Sequence, residues 1–129
     1  MFQSRLPAIL FVLCFPALIM AAGPDLRTFK SKVEPILVQY CYQCHGPQGE
    51  ASPRLSELDP DFFTGSDGET WHDALNRLNE GKMPPEEGLP LPISKRKQLV
   101  KWLTTEMSRA TEARRSTGGE VVFRRLTNY

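Results

Sequence analysis

Asp25–His45 reads DLRTFKSKVEPILVQYCYQCH, and the reading of this stretch decides the fold. Phe29, Val33, Ile36, Leu37 and Tyr40 recur at offsets of three and four, which makes one apolar face of an amphipathic helix. Pro35 interrupts it. Its nitrogen carries no hydrogen to donate and its ring disfavours helical geometry at Glu34, so the spacing predicts a kink or two short helices rather than one straight rod. The helix then delivers the chain directly into Cys41, Tyr42, Gln43, Cys44 and His45.

Downstream of that point, Gly46–Gly68 holds Pro47, Gly49, Pro53, Pro60, Gly65 and Gly68, and reads as a loop with room for one helical turn. Helical spacing returns over Glu69–Glu80, with Trp71, Ala74, Leu75 and Leu78 on one side and Gly81 as the C-terminal cap. Met83–Pro92 holds four of the eleven prolines and is not helical. Ser94 is the expected N-cap of a last helix, in which Leu99, Leu103, Met107 and Ala110 form a stripe joined by Trp102. No period-two run precedes the tail. The expected class is all-α, with about three helices and two long loops.

Composition bounds the rest. A chain of 129 residues, 40% apolar and 24% charged, is neither disordered nor a polytopic membrane protein, and holds one small domain. A net charge of +1 argues against a nucleic-acid partner. The charge is unevenly spread: Asp25–Ser108 has 10 basic and 13 acidic residues, Arg109–Tyr129 has 5 and 2. Upstream, Arg5 precedes an uncharged run, Leu6–Ala22 (LPAILFVLCFPALIMAA), that ends in small residues. At 17 residues and broken by Pro7 and Pro16, it is too short for a comfortable membrane span. Residues 1–22 therefore read as an export signal cut near Ala21 or Ala22, with a retained anchor as the alternative. Cys14 follows Leu13, which does not make a lipoprotein box. The expected location is periplasmic or secreted, with no membrane contact beyond the signal.

Cys41-x-x-Cys44-His45 is the spacing of c-type haem attachment. Two thiols separated by two residues can add to the two vinyl groups of one porphyrin, and the adjacent imidazole is then held beneath the iron. A body of this size with two long loops has a marginal core, so a buried macrocycle would contribute to stability as well as to chemistry. Competing readings of the same residues are a Cys41–Cys44 disulfide, a thioredoxin-like redox pair, and a zinc site that recruits His72. The sixth iron ligand is sought among Met83, Met107 and His72. Met83 lies in Gly81-Lys82-Met83-Pro84-Pro85, 38 residues after His45, on a backbone stiffened by proline. Met107 sits on the core stripe, and His72 lies beside the apolar face of its helix, so Met83 is the expected ligand.

Together these residues resemble a class I cytochrome c, and more narrowly a planctomycete-type cytochrome c domain. The resemblance runs from about Phe29 to Met107. It includes Val33–Leu37 before Cys41–His45, Arg54-Leu55, the Trp71…Leu78…Gly81-Lys82-Met83-Pro84-Pro85 segment, and Leu99-Val100-Lys101-Trp102-Leu103. Asp59–Gly68 matches nothing in it. The resemblance implies a small fold wrapped around one covalent haem c over residues 23–115, attached through Cys41 and Cys44, with His45 and Met83 as iron ligands. Residues 116–129 follow as a linker (Ser116-Thr117-Gly118-Gly119) and a run, Val121-Val122-Phe123-Arg124-Arg125-Leu126, similar to the start of a following domain in large secreted proteins. The other reading of that tail is a short basic segment.

With both iron faces filled, the expected function is electron transfer rather than catalysis, toward a redox protein or a fused redox domain. The alternatives are a haem peroxidase or ligand sensor with a labile Met83, and a haem-free binding module stapled by a disulfide or zinc. Arg54 is a candidate partner of a haem propionate.

Overall fold

Pro35 does what its chemistry requires. The computed structural model describes residues 23–116, and in it the first helical stretch is three segments in sequence. These are α1 (Leu26–Thr28), a π-helical turn (Phe29–Val33) and α2 (Glu34–Tyr40). Pro35 has no N–H for the Ser31 carbonyl, and the ladder widens one residue earlier: the Glu34 N–H reaches the Phe29 carbonyl, five residues back. Proline then sits in the first turn of α2, where a missing donor costs nothing. Asp25 caps the start, its carboxylate accepting the Thr28 N–H at 3.0 Å.

A single-turn α3 (Tyr42–His45) follows, then a 3₁₀ turn at Leu55–Glu57, α4 (Gly68–Asn79) and α5 (Ile93–Ser116). Among the described residues there is no strand, so the all-α class holds. Gly81 ends α4 at φ +71°, its N–H on the Leu78 carbonyl at 3.2 Å. Met83–Pro92 is non-helical, as the prolines require. Two boundaries differ from the sequence reading. Ser94 is not the N-cap: α5 begins at Ile93, and the Arg96 N–H takes the Pro92 carbonyl. Ser116 is not linker: it is the last residue of α5, its hydroxyl donating to the Ala113 carbonyl at 2.8 Å. Residues 1–22 and 117–129, the expected signal and the remainder of the tail, lie outside the described residues. No described helix is long and apolar enough to cross a membrane.

The core is closed by four rings from four segments. Phe29 of the π turn lies 6.3 Å from Trp71 of α4 and 5.1 Å from Trp102 of α5. Phe62, from the long loop, lies 6.4 Å and 5.8 Å from the same two indoles. Such pairs add about 0.5–1.5 kcal/mol each beyond their area. Trp71 also donates its indole N–H to the Asp59 carbonyl at 2.9 Å, which fixes the loop that carries Phe62. Val33, Leu37, Leu99, Leu103 and Ala110 fill the remainder, each at most 1% exposed.

The ends of the described body are tied together by a buried carboxylate. Glu106 of α5 is 3% exposed; it accepts the Asp25 N–H at 2.9 Å and pairs with Arg109. Arg109 in turn donates to the Gly23 carbonyl at 2.8 Å and lies over the Phe63 ring. Both carboxylate oxygens of Glu106 are bonded, and a paired, hydrogen-bonded charge is one that burial tolerates.

Candidate functional site

Cys41 is the joint on which the site is built. It closes α2, its N–H on the Leu37 carbonyl at 2.8 Å, and opens α3, its carbonyl accepting the His45 N–H at 2.8 Å. Cys41, Cys44 and His45 therefore lie on one helical turn at the end of a rigid element. Past Gly46 the chain doubles back: the Gly49 N–H bonds the Gly46 carbonyl at 3.1 Å and the Ala51 N–H bonds the Cys44 carbonyl at 3.0 Å. Only glycine permits this approach at position 49, where a Cβ would stand 2.0 Å from the Cys44 oxygen. Arg54 locks the turn by donating to the Gly46 and Pro47 carbonyls at 3.3 and 2.9 Å, and lies 3.9 Å from Glu57.

The returning loop brings the Pro53 carbonyl to 2.7 Å from His45 Nδ1. A carbonyl only accepts, so the proton sits on Nδ1 and the lone pair is left on Nε2. A backbone acceptor on one ring nitrogen is the arrangement that orients a ligating imidazole and makes the other nitrogen a better donor to a metal. His45 lines a cavity of about 550 Å³, within the usual range for small-molecule and cofactor sites. Its walls come from every helix except α1: Leu37, Tyr40 and Cys41 at the end of α2, Cys44 and His45 on α3, Trp71, Ala74 and Leu78 on α4, Leu99 and Leu103 on α5. Met83, Pro84, Pro85, Gly88 and Leu89 of the strap between α4 and α5 complete it.

All four expected binding residues, Cys41, Cys44, His45 and Met83, thus line one largely apolar space. Those residues fit a covalently held macrocycle: two thiols on one turn, an imidazole with a free nitrogen, a thioether, and apolar walls from three helices. The other candidates are elsewhere. Met107 is half-buried against the core and is not part of the cavity. His72 is exposed on α4, its Nδ1 3.3 Å from the Asn76 amide. Among the described residues no three His, Cys, Asp or Glu side chains converge as a metal site, so His72 does not complete a zinc cluster with Cys41, Cys44 and His45.

Cys41 and Cys44 are both free thiols. Burial, followed by the neighbouring Cys44, pushes the Cys41 thiol up to about 11, the opposite of the activated thiolate that a thioredoxin-like pair needs. Arg54, a candidate propionate partner, donates its guanidinium to backbone carbonyls and does not line the cavity. Sequence reasoning passed over Thr70, Asp73 and Arg77, which line the cavity from α4. Thr70, Ala74 and Arg77 are spaced by four and three, so one helical face was there to be read, but its polar ends hid it.

No family model, curated protein or solved structure matches this chain.

Proposed function

We propose that this chain is an exported monohaem c-type cytochrome domain, of the planctomycete type its motifs resemble, and that it transfers electrons to or from a redox protein or a fused redox domain. The observation that carries the reading is the His45 ring, pinned through Nδ1 by the Pro53 carbonyl at 2.7 Å and placed in a cavity shared with Cys41, Cys44 and Met83. Cys41 and Cys44 would hold the macrocycle as thioethers, and His45 and Met83 would ligate its iron. Bound there, haem supplies reversible one-electron chemistry at iron.

The protein's part in that chemistry is to hold and to exclude. The Pro53 carbonyl fixes the imidazole tautomer and the ring's direction. Met83 is carried on a strap whose start is bonded to α4, the Lys82 N–H on the Arg77 carbonyl at 3.0 Å, so the thioether is positioned without ordering a free loop. Leu37, Leu99 and Leu103 keep the space apolar, which favours the less charged state of a bound redox centre. Were His45 and Met83 both to ligate the iron, small ligands would find no vacant site, which is why electron transfer is preferred over peroxide chemistry or gas sensing.

The test is a visible spectrum of protein exported from a host with haem-attachment machinery. Haem that survives denaturation, sharp ferrous bands, and a near-red Met-to-iron band lost in Met83→Ala are expected. Covalent haem without that band, together with rapid carbon monoxide binding, would replace the reading with the sensor or peroxidase class. A protein without haem would leave the binding-module reading.

A further inference from the structure

We propose that the groove between the π-helical turn and the start of α5 is a docking site for an acidic peptide segment of a partner protein. The fold gathers positive charge there. Seven of the ten basic residues of Asp25–Ser108 fall within two short stretches, 27–32 and 95–101, and neither stretch holds an acidic residue. Far apart in sequence, the two stretches meet across a groove of about 420 Å³. Ser31, Lys32 and Gln39 line it from one side, Lys95 and Gln98 from the other, and the buried Ile36 completes it. The groove shares no lining residue with the cavity of His45 and Met83, so this inference does not rest on the cytochrome reading.

The fold itself makes no use of these groups. Lys30 is paired with Glu34 at 2.8 Å, and Arg96 donates to the Leu78 carbonyl. Among the described residues, Lys32, Gln39, Lys95 and Gln98 have neither a side-chain hydrogen bond nor an ion pair. Lys95, Arg96 and Lys97 moreover enter α5 in succession with no acid in its first turn, where the helix dipole disfavours cations. A merely solvating basic face would sit equally well further along the helix, clear of that penalty.

Two separate ammonium groups take separate carboxylates, and the Gln39 and Gln98 carboxamides can both donate to and accept from a peptide main chain. The rest of the molecule selects a short segment over an extended polyanion. All thirteen acidic residues of Asp25–Ser108 lie outside the two basic stretches, so a nucleic acid or an anionic bilayer laid on this face would meet repulsion at its margins. A bilayer also asks for an apolar side chain to insert, and the aliphatic side chain in the groove, Ile36, is 3% exposed.

The probe is a fluorescein-labelled octaglutamate peptide, its binding to the exported full chain followed by anisotropy at low salt. A net charge of +1 gives the chain little general attraction for it. Lys32→Gln and Lys95→Gln, both at exposed positions and checked for folding by circular dichroism, are each expected to weaken binding about threefold to fivefold, and together about tenfold. Gln39→Ala with Gln98→Ala leaves the charge unchanged and is expected to cost about threefold. Arg115→Gln removes the same charge as either lysine variant but at the far end of α5, beyond the range of screened charges, and is expected to change affinity less than about 1.5-fold. No binding by wild type, no loss in the lysine variants, or an equal loss in Arg115→Gln overturns the docking site. Wild-type affinity in the glutamine double variant overturns the groove and leaves only a diffuse basic surface. Capture by phosphatidylglycerol vesicles that the lysine variants abolish, without peptide binding, overturns the peptide in favour of a lipid surface.

Discussion

Replacing Gly49 with alanine tests whether the loop after the two cysteines must close as tightly as it does. A Cβ at this position would stand 2.0 Å from the Cys44 carbonyl oxygen and 2.3 Å from its carbon, whereas ordinary contact begins near 3.4 Å. The atoms struck are backbone, so no side chain can rotate away; the loop has to retreat by about 1.4 Å. That retreat carries the Ala51 N–H away from the Cys44 carbonyl and the Gly49 N–H away from Gly46, bonds that now stand at 3.0 and 3.1 Å. Two backbone hydrogen bonds at about 1 kcal/mol each, with about 1 kcal/mol of residual crowding, give a loss of about 3 kcal/mol. For a body of this size that is a fall of roughly 12–24 °C in Tm. Thermal unfolding followed by far-ultraviolet circular dichroism measures it. The control is Gly68→Ala, where the added carbon meets only Phe62 Cδ1, at 4.0 Å, and the expected change is small. Because Pro53 lies just beyond Ala51, the haem-loaded variant should also show a disturbed His45 ligation spectrum. A Gly49→Ala protein within about 1 kcal/mol of wild type would refute the reasoning, since it would mean that the loop rests on Cys44 without depending on the contact.

Three further outcomes are expected. Trp71→Phe keeps an aromatic ring against Phe29 and Phe62 but strands the Asp59 carbonyl now bonded at 2.9 Å; a loss of about 2 kcal/mol is expected in urea unfolding, with the 59–65 loop the first segment to gain amide exchange. The Asp61 carboxyl is held below the ordinary aspartate range, chiefly by the Thr64 hydroxyl and also by the Phe63 and Thr64 amides. A depressed carboxylate stabilises the fold above its ordinary range and loses that contribution as pH falls through the folded value, so Asp61→Asn should flatten the acid limb of the stability profile. In haem-free protein, Cys41 should be alkylated far more slowly than the exposed Cys44 at pH 8, with its rate rising about tenfold per pH unit until near 11, as mass spectrometry of the labelled thiols can follow.

The helices were legible because their apolar residues obey one period. Phe29, Val33, Ile36 and Leu37, then Trp71, Leu75 and Leu78, then Leu99, Leu103 and Ala110 are all buried in the structure, as the offsets of three and four required. Pro35 announced a disturbance, but its chemistry alone did not say whether the backbone would answer with a kink or with the widened turn at Phe29–Val33. Ser94 misled for a related reason: N-cap preference is a tendency of isolated ends, and α5 starts one residue earlier, at Ile93. The segment 59–68 had no readable pattern. Its meaning is tertiary, in Phe62 entering the aromatic group, Asp59 accepting from Trp71, and Asp67 giving its carboxylate to the Asp59 N–H at 2.8 Å instead of capping α4. Of the candidate site, the motif placed Cys41, Cys44 and His45 on one turn, and proline chemistry singled out Met83. The Pro53 carbonyl was not legible, since a backbone acceptor has no side-chain signature.

The contact between Glu106 and the Asp25 N–H spans 81 residues, and the one between Arg109 and the Gly23 carbonyl spans 86. A chain emerging from its N-terminus presents Cys41, Cys44 and His45 long before either contact can form, and before Leu99 and Leu103 arrive to wall the cavity. The turn that carries the two thiols is held by local hydrogen bonds, whereas α5, which walls the same cavity, is anchored by these long-range ones. Closure of so long a loop costs little more entropy than closure of one half its length, so α5 can come last at small expense. The final helix is thus bolted to the start of the described body by the carboxylate of Glu106.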